Sequence, residues 1–343
     1  MRGILLPLSW IYGLLVAARH RAFDSGMLSQ EAAGVPVISV GNLTAGGTGK
    51  TPFVELLLSL LLRRGCMPGV VSRGYGRQTR GVRVVACGGK VYGDAREGGD
   101  EPLQIAMKFP GVSVVVGERR VDAARTAAGQ CGAEVIVMDD GFQHRYLRRD
   151  LDILVMDARR DIRAERLLPA GRRREWVKGI DRADLLVFSR SSGVEPPAWA
   201  EGLRAVREGK ALTLRHKIGG FISCHDRAPA LPVGPVFAFS GIGDHHLFTG
   251  SLQDRGLIVS GERRFPDHHF YTAGDLASIV SRAGEAGANT IVTTEKDARR
   301  LEGVPLPEGL AGMQYAVLEL EILQGGGMLE QMIDNILTRT PRP

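Results

Sequence analysis

Lys50 and Thr51 close the glycine-rich stretch "VGNLTAGGTGKTP", Val40 to Pro52. A strand, a glycine turn and then a helix would set successive backbone N–H groups and the positive end of the helix dipole around a phosphate. In that arrangement Lys50 reaches the β- and γ-phosphates of a nucleotide and the Thr51 hydroxyl ligates Mg2+. The usual pattern, G-x-x-x-x-G-K-[ST], has Thr44 where its first glycine belongs. That position is the loop entrance, and Gly46, Gly47 and Gly49, with Thr48 between them, keep the freedom that close backbone approach requires. Nucleotide binding is therefore expected at Gly46, Gly47, Thr48, Gly49, Lys50 and Thr51. The metal that accompanies a nucleotide needs an acid at the end of a nearby buried strand, and "AEVIVMDDGFQHR" offers Asp139 and Asp140. An Asp-Gly turn is the alternative reading of the same residues, but two adjacent acids after an apolar strand, downstream of the loop, favour the metal.

The elements that must position these groups alternate between strand and helix. "VPVISVGN" reads as a β-branched strand before the loop, and "TPFVELLLSLLLRRG" as a helix after it, with Pro52 in its first turn and Gly65 at its stop. Apolar runs follow at "PGVVSRG", "VSVVVG", "AEVIVMDD", "LDILVMDA" and "ADLLVFS". Runs apolar on both faces argue for a parallel sheet with helices on both sides. Prolines interrupt the pattern at His225 to Pro235, after which "VFAFSGIG", "GLIVSGERRF", a helix near Ala273 to Ala286, "NTIVTTEKD" and "MLEQMIDNILTR" make a smaller α/β unit. The expected organisation is α/β, of the P-loop NTPase kind: an N-terminal helix over 1–24, a kinase-sized core over 25–230 and a smaller C-terminal domain over 231–343. A chain of 343 residues, 44% hydrophobic and 24% charged, suits two globular domains.

Ile4 to Ala18, "ILLPLSWIYGLLVAA", is apolar and ends in Arg19, His20 and Arg21. It is short for a bilayer span, which takes about 20 residues, and a basic cluster straight after the apolar run makes a poor export signal. Two readings remain: a core helix, or a helix dipping into one leaflet with Trp10 and Tyr12 at headgroup level and arginines on phosphates. The pattern favours the membrane. Lys and Arg outnumber Asp and Glu by 44 to 38, with arginine clusters at 145–149 and 159–174, which points to an anionic partner. Only 6% of residues are aromatic, with no aromatic-basic interleaving, so nucleic acid is not expected. Cys66, Cys87, Cys131 and Cys224 show neither zinc spacing nor disulfide density, and reduced thiols in the cytosol are the simplest reading.

Several motifs in order, "GNLTAGGTGKTP", "SRGYGR", "GDEP", "DDGFQH", "LLPAGRRRE", "FSGIG", "PDHH" and "TTEKDA", make the chain similar to the tetraacyldisaccharide 4'-kinases of lipid A synthesis. The likeness spans nearly the whole chain, and "LLPLSWIYG" looks like that family's membrane-associating helix. The resemblance implies transfer of the ATP γ-phosphoryl group to the 4'-hydroxyl of tetraacyldisaccharide 1-phosphate, giving lipid IVA, at the cytoplasmic face of the bacterial inner membrane; no protein partner is evident from the sequence. It further implies a base made by Asp100 and His268, assembled as domains close. By the residues alone, Asp100 is also a candidate helix N-cap, and His269 competes with His268. Arg73, Tyr75 and Arg172 are expected to touch substrate or nucleotide, whereas Arg173 and Arg174 have no assigned role and most of the arginines are expected to face solvent or lipid. "TTEKDARRL" does not have the spacing of a guanine-reading Asn-Lys-x-Asp, which favours ATP. A membrane-associated switch ATPase would carry a lysine at Ala45, and a metallochaperone GTPase would carry metal-binding Cys or His motifs; neither feature is present.

Overall fold

The computed structural model describes residues 5–267, 269–302 and 304–338. Two compact units result, one of Met1–Arg215 with Ile322–Pro343 and one of His216–Glu321. The first unit carries α1 (Leu6–Asp24), β1 (Val37–Gly41), α2 (Lys50–Arg63), β2 (Pro68–Ser72), β3 (Arg83–Cys87), β4 (Lys90–Val91) and α3 (Ala95–Gly98). It continues through α4 (Asp100–Lys108), β5 (Ser113–Val116), α5 (Arg120–Cys131), β6 (Val135–Asp139), β7 (Leu151–Asp157), β8 (Leu185–Ser189), α6 (Arg204–Arg207) and the start of β9 (Ala211–Ser223). Its strands lie in the order β9, β8, β7, β1, β6, β2, β5, β3, β4. Pairing is parallel from β9 to β5, and the β3–β4 hairpin closes that edge antiparallel.

Strands β1, β2, β5, β6, β7 and β8 are buried along their whole length, as continuous apolar runs must be when helices cover both sheet faces. Helix α2 inserts Phe53, Val54, Leu57, Leu58 and Leu61, all fully buried, each contributing about 1.5–3 kcal/mol by leaving water. Ala123, Ala124 and Ala127 of α5 pack into one cluster with Val71, Val115 and Ile136. The central strand β1 lies between β6 and β7; the chain leaves β1 for β2 on one side and β7 for β8 on the other, so the connections diverge between β1 and β7, where α/β sheets open a crevice at their carboxyl ends.

The second unit holds the rest of β9, β10 (Pro229–Ala230), β11 (Val236–Ser240), α7 (His245–Asp254), β12 (Val259–Arg264), α8 (Ala273–Glu285), β13 (Thr290–Thr294), α9 (Glu295–Arg300) and most of β14 (Gln314–Gln324). β12, β11, β13 and β14 pair parallel in that order. Its core gathers Phe237, Phe239, Phe265, Tyr271, Leu276 and Ile279, and a capping box between Thr272 and Asp275 starts α8. The chain re-enters the first unit within β14 and ends its described part in α10 (Gly326–Leu337).

The cysteines differ from expectation. Cys87 and Cys131 form a disulfide with Cα atoms 5.3 Å apart, leaving Cys66 and Cys224 as free thiols. The partners are 44 residues apart, and only the packing of β3 beside α5 brings them together, so no local spacing signals the pair.

Candidate active site

The loop after β1 is built from both sides. Gly46 and Gly49 take positive φ values of 108° and 86°, conformations that a side chain resists, and α2 starts at Lys50 with no side-chain cap on Gly49. Asn42, fully buried, donates to Thr48 Oγ1 at 3.0 Å. At the end of β8, Ser189 Oγ donates to the Thr48 carbonyl at 2.6 Å and Arg190 to the Gly47 carbonyl at 3.0 Å. With these carbonyls tied back, the peptide N–H groups are free to turn toward the loop's concave side. Asp157 anchors Arg190 at 2.9 Å. Burial alone would raise the Asp157 carboxyl, but Arg159 and Arg190 outweigh it and hold it at about 2.

Register explains why the acids arrive here. Val40 pairs with Asp139, so the β6 turn lies beside the loop, and Gly41 is required because a Cβ there would stand 2.5 Å from Phe142 Cβ and 2.6 Å from its backbone N. Asp140 sits in a left-handed turn at φ 52°. Its carboxylate is 3.0 Å from Lys50 Nζ and accepts from Arg174 on both oxygens at 2.9 Å. Burial would raise that carboxyl, yet Lys50 and Arg174 together keep it below its ordinary value. Asp139 behaves oppositely: burial, then the charge of Glu101, push it up to about 6.

Glu101 is the site residue the sequence reading passed over. It accepts from Thr51 Oγ1 at 3.5 Å, and it follows Asp100 at the start of α4. Asp100 is exposed, and the N-cap is Gly99 with no side-chain cap bond, so the capping role considered for Asp100 is not realised. The "SRGYG" loop packs on this turn: a Cβ on Gly99 would meet the Tyr75 carbonyl at 3.1 Å, while the Tyr75 side chain is 88% exposed. Arg73 is exposed, close enough to Arg120 to lower its pKa, after burial and alongside the opposing Asp140 charge. Lys50, Thr51, Asp100, Glu101, Asp139 and Asp140 thus share one end of the sheet.

The arginine stretch carries many internal ion pairs. Arg145 pairs with Asp24, Arg149 with Asp152, Arg159 with Asp157, Arg163 with Asp161 and Arg172 with Glu165. These guanidiniums are paired with the protein's own acids, and Arg159, Arg160, Arg163 and Arg166 are exposed as expected. Arg172 offers its carbonyl to the Ala45 N–H at 2.7 Å, and its guanidinium lies 4.0 Å from where a Gly46 Cβ would be. Arg173 is buried and bridges to Thr44, and Arg174 holds Asp140, so both unassigned arginines support the loop.

Helix α1 turns its polar and small residues inward. Ser9 donates to the Leu167 carbonyl at 3.1 Å, Tyr12 to the Arg174 carbonyl at 2.7 Å, and Trp176 Nε1 to the Gly13 carbonyl at 2.9 Å. Tyr12 is therefore anchored in the protein and not placed as a headgroup anchor. Leu8, Trp10, Ile11, Leu14 and Leu15 point out, each more than half exposed. Among the described residues no helix is long and apolar enough to cross a membrane.

In the second unit, His268 lies outside the described residues. His269 stacks on Phe265 at 4.7 Å and meets Asp275 at 3.0 Å, so its ring is occupied by the fold. Asp297 of "TTEKDA" is fully buried and accepts from Gly241 N at 3.1 Å, Tyr271 at 2.9 Å and Thr294 at 2.6 Å. Its carboxylate is a structural hub and presents nothing to a base.

Parallel strands, helices on both faces and a glycine turn leading into α2 define the class, an α/β protein built on a large, mostly parallel sheet. A profile described as tetraacyldisaccharide-1-P 4'-kinase matches residues 1–338. A protein of Anaeromyxobacter sp. (strain Fw109-5) named tetraacyldisaccharide 4'-kinase is 41% identical, over 98% of this chain and 92% of its own. One of that name from Geobacter metallireducens is 38% identical over 98% of both. The crystal structure of LpxK from Aquifex aeolicus in complex with ATP superposes with a TM-score of 0.79 at 33% identity, covering 98% of this chain and 99% of that one. The chain belongs to the tetraacyldisaccharide 4'-kinase family.

Proposed function

We propose that this protein transfers the γ-phosphoryl group of ATP to the 4'-hydroxyl of tetraacyldisaccharide 1-phosphate, forming lipid IVA at the cytoplasmic face of the bacterial inner membrane. Family membership over residues 1–338 carries the reading, and the ATP named in the related structure supports the nucleotide.

In this reading the loop from Gly46 to Thr51 is a P-loop that cradles the ATP phosphates, and Lys50 moves its charge from Asp140 to the γ-phosphate, where negative charge develops. Arg174 keeps Asp140 anionic while Lys50 is engaged. Asp100 takes the hydroxyl proton, and His268 is the second residue the family pattern gives that task. Arg73, Tyr75 and Arg172 are the proposed contacts to substrate.

Mg2+ fits the residues present. Thr51 and Glu101 present oxygen atoms side by side, and Asp139 is buried within the field of Glu101, a crowding of acids that a divalent cation relieves. No three His, Cys, Asp or Glu side chains converge as a metal cage among the described residues, consistent with Mg2+, which takes one or two carboxylates and completes its shell with phosphate and water. When bound it would neutralise phosphate charge, held by Thr51, Asp139 and Glu101 with Asp140 beside them. The outward apolar face of α1 supports peripheral membrane association.

The test is transfer of labelled γ-phosphate from ATP with Mg2+ to tetraacyldisaccharide 1-phosphate in mixed micelles. Label in the lipid is expected, with losses of about a hundredfold or more in Lys50→Ala and Asp100→Ala. ATP hydrolysis with an unlabelled lipid would move the reading to a switch ATPase.

A further inference from the structure

Glu175 has no place in the chemistry above, yet it is fully buried and charged between α1 and the nucleotide loop. Its Oε2 lies 3.0 Å from His20 Nε2 and 2.8 Å from Arg182 NH1. Its Oε1 accepts from Gln143 Nε2 at 2.8 Å. The same Gln143 nitrogen donates to the Asn42 carbonyl at 3.0 Å, and Asn42 donates to Thr48 Oγ1 at 3.0 Å. An unbroken series of buried contacts therefore runs from the inner face of α1 to the centre of the loop.

The main chain runs parallel to it. Arg174 N donates to the Leu43 carbonyl at 2.7 Å, and the Arg174 carbonyl receives Tyr12 of α1 at 2.7 Å. Room for the carboxylate is kept by Gly179, where a Cβ would stand 2.4 Å from Glu175 Oε2. The Glu175 side chain is fully buried and meets no ligand, so its output is geometry.

We propose that Glu175 is a positioning residue for nucleotide binding, through which α1 sets the conformation of the Asn42–Thr48 turn. The helix thus does more than attach the protein to a surface: its inner face is part of the nucleotide site's support. The proposal rests on the reading of the loop as the ATP site.

The experiment measures the dissociation constant for a fluorescent ATP analogue with Mg2+ in detergent-solubilised full-length protein, with thermal midpoints recorded in parallel. His20→Ala and Gln143→Ala should each weaken binding about tenfold. Because His20 reaches the turn through Glu175 and then Gln143, one series, the double variant should be no more than about twofold weaker than the worse single one. Leu14→Ser, on the outer face of α1, should leave nucleotide affinity unchanged, which separates positioning from membrane attachment. Should His20→Ala not fold, His20→Gln carries the same test. Binding within twofold of the parent in a folded His20 variant, or effects of the two substitutions that multiply, would overturn the proposal while leaving the ATP site intact. A parent protein that does not bind the analogue would instead overturn the reading on which it rests.

Discussion

Replacing Glu175 by Gln removes a buried negative charge while preserving shape, and its cost can be worked from the site. The carboxyl is fully buried. Burial works to raise its pKa, but His20, Arg182 and Gln143 overcome that and lower it from 4.5 to about 2. A drop of that size corresponds to about 3 kcal/mol of folding stability. Since the folded carboxyl is the stronger acid, this contribution is complete above pH 4.5, declines as pH falls and is lost below about 2. Urea unfolding at pH 7 should therefore show Glu175→Gln less stable by about 3 kcal/mol, and Glu175→Ala by roughly 3–5 kcal/mol because the side-chain volume is lost as well and the partly buried Arg182 loses its partner. The gap to Gln should shrink to about half near pH 3, where the unfolded chain's carboxyl has taken up its proton while the folded one is still ionised. A difference under about 1 kcal/mol at pH 7, or one that stays constant between pH 7 and pH 3, would refute the account of Glu175 as a buried, charge-held acid.

Other substitutions test other parts. Gly41→Ala forces the β6 turn off the end of β1 and should cost about 1–3 kcal/mol in urea unfolding, together with weaker ATP binding. Leu15→Glu on the outer face of α1 should reduce cosedimentation with phospholipid vesicles at least about tenfold, since one buried leucine is worth about 1.5–3 kcal/mol; unchanged sedimentation would remove α1 as the attachment surface. Reduction of Cys87–Cys131, which closes a separation of 44 residues, should lower stability by about 2–4 kcal/mol, seen as a lower thermal midpoint in dithiothreitol that Cys87→Ser does not show.

How far the sequence could be read depended on the distance between interacting partners. The strand, glycine turn and helix from Val37 to Arg63 are consecutive, so their pattern is local and visible. That Asp139 stands beside this turn is a matter of the Val40 to Asp139 register, which no local pattern encodes. Ser189 and Arg190 hold the loop through its carbonyls, and contacts to backbone leave no trace in residue type. Glu101 was hidden by its neighbour Asp100. The arginines find their acids at very different separations, Asp161 close by for Arg163 but Asp24 for Arg145 and Asp140 for Arg174 far off in the chain, so residue type alone does not show which are paired. In α1 the apolar count is set by the outward residues, and the inward role of Ser9, Tyr12 and Gly13 shows only once the helix is docked. Strands β9 and β14 carry mixed, half-exposed residues and lack the continuous apolar run that marks the others.

Helix α10 returns to the first unit after the whole of the second has been threaded through the chain, and its Glu330 and Asp334 clasp Arg64 just past α2 at 3.3 Å and 2.6 Å. During translation the helix that follows the glycine loop must wait for this partner. At about 5–20 residues per second, the intervening unit His216–Glu321 keeps the first unit unfinished on the ribosome for several seconds or more. A nascent chain stalled before Gly326 would hold the loop and both acids but lack this brace, so the first unit is completed only when the last described helix has been made.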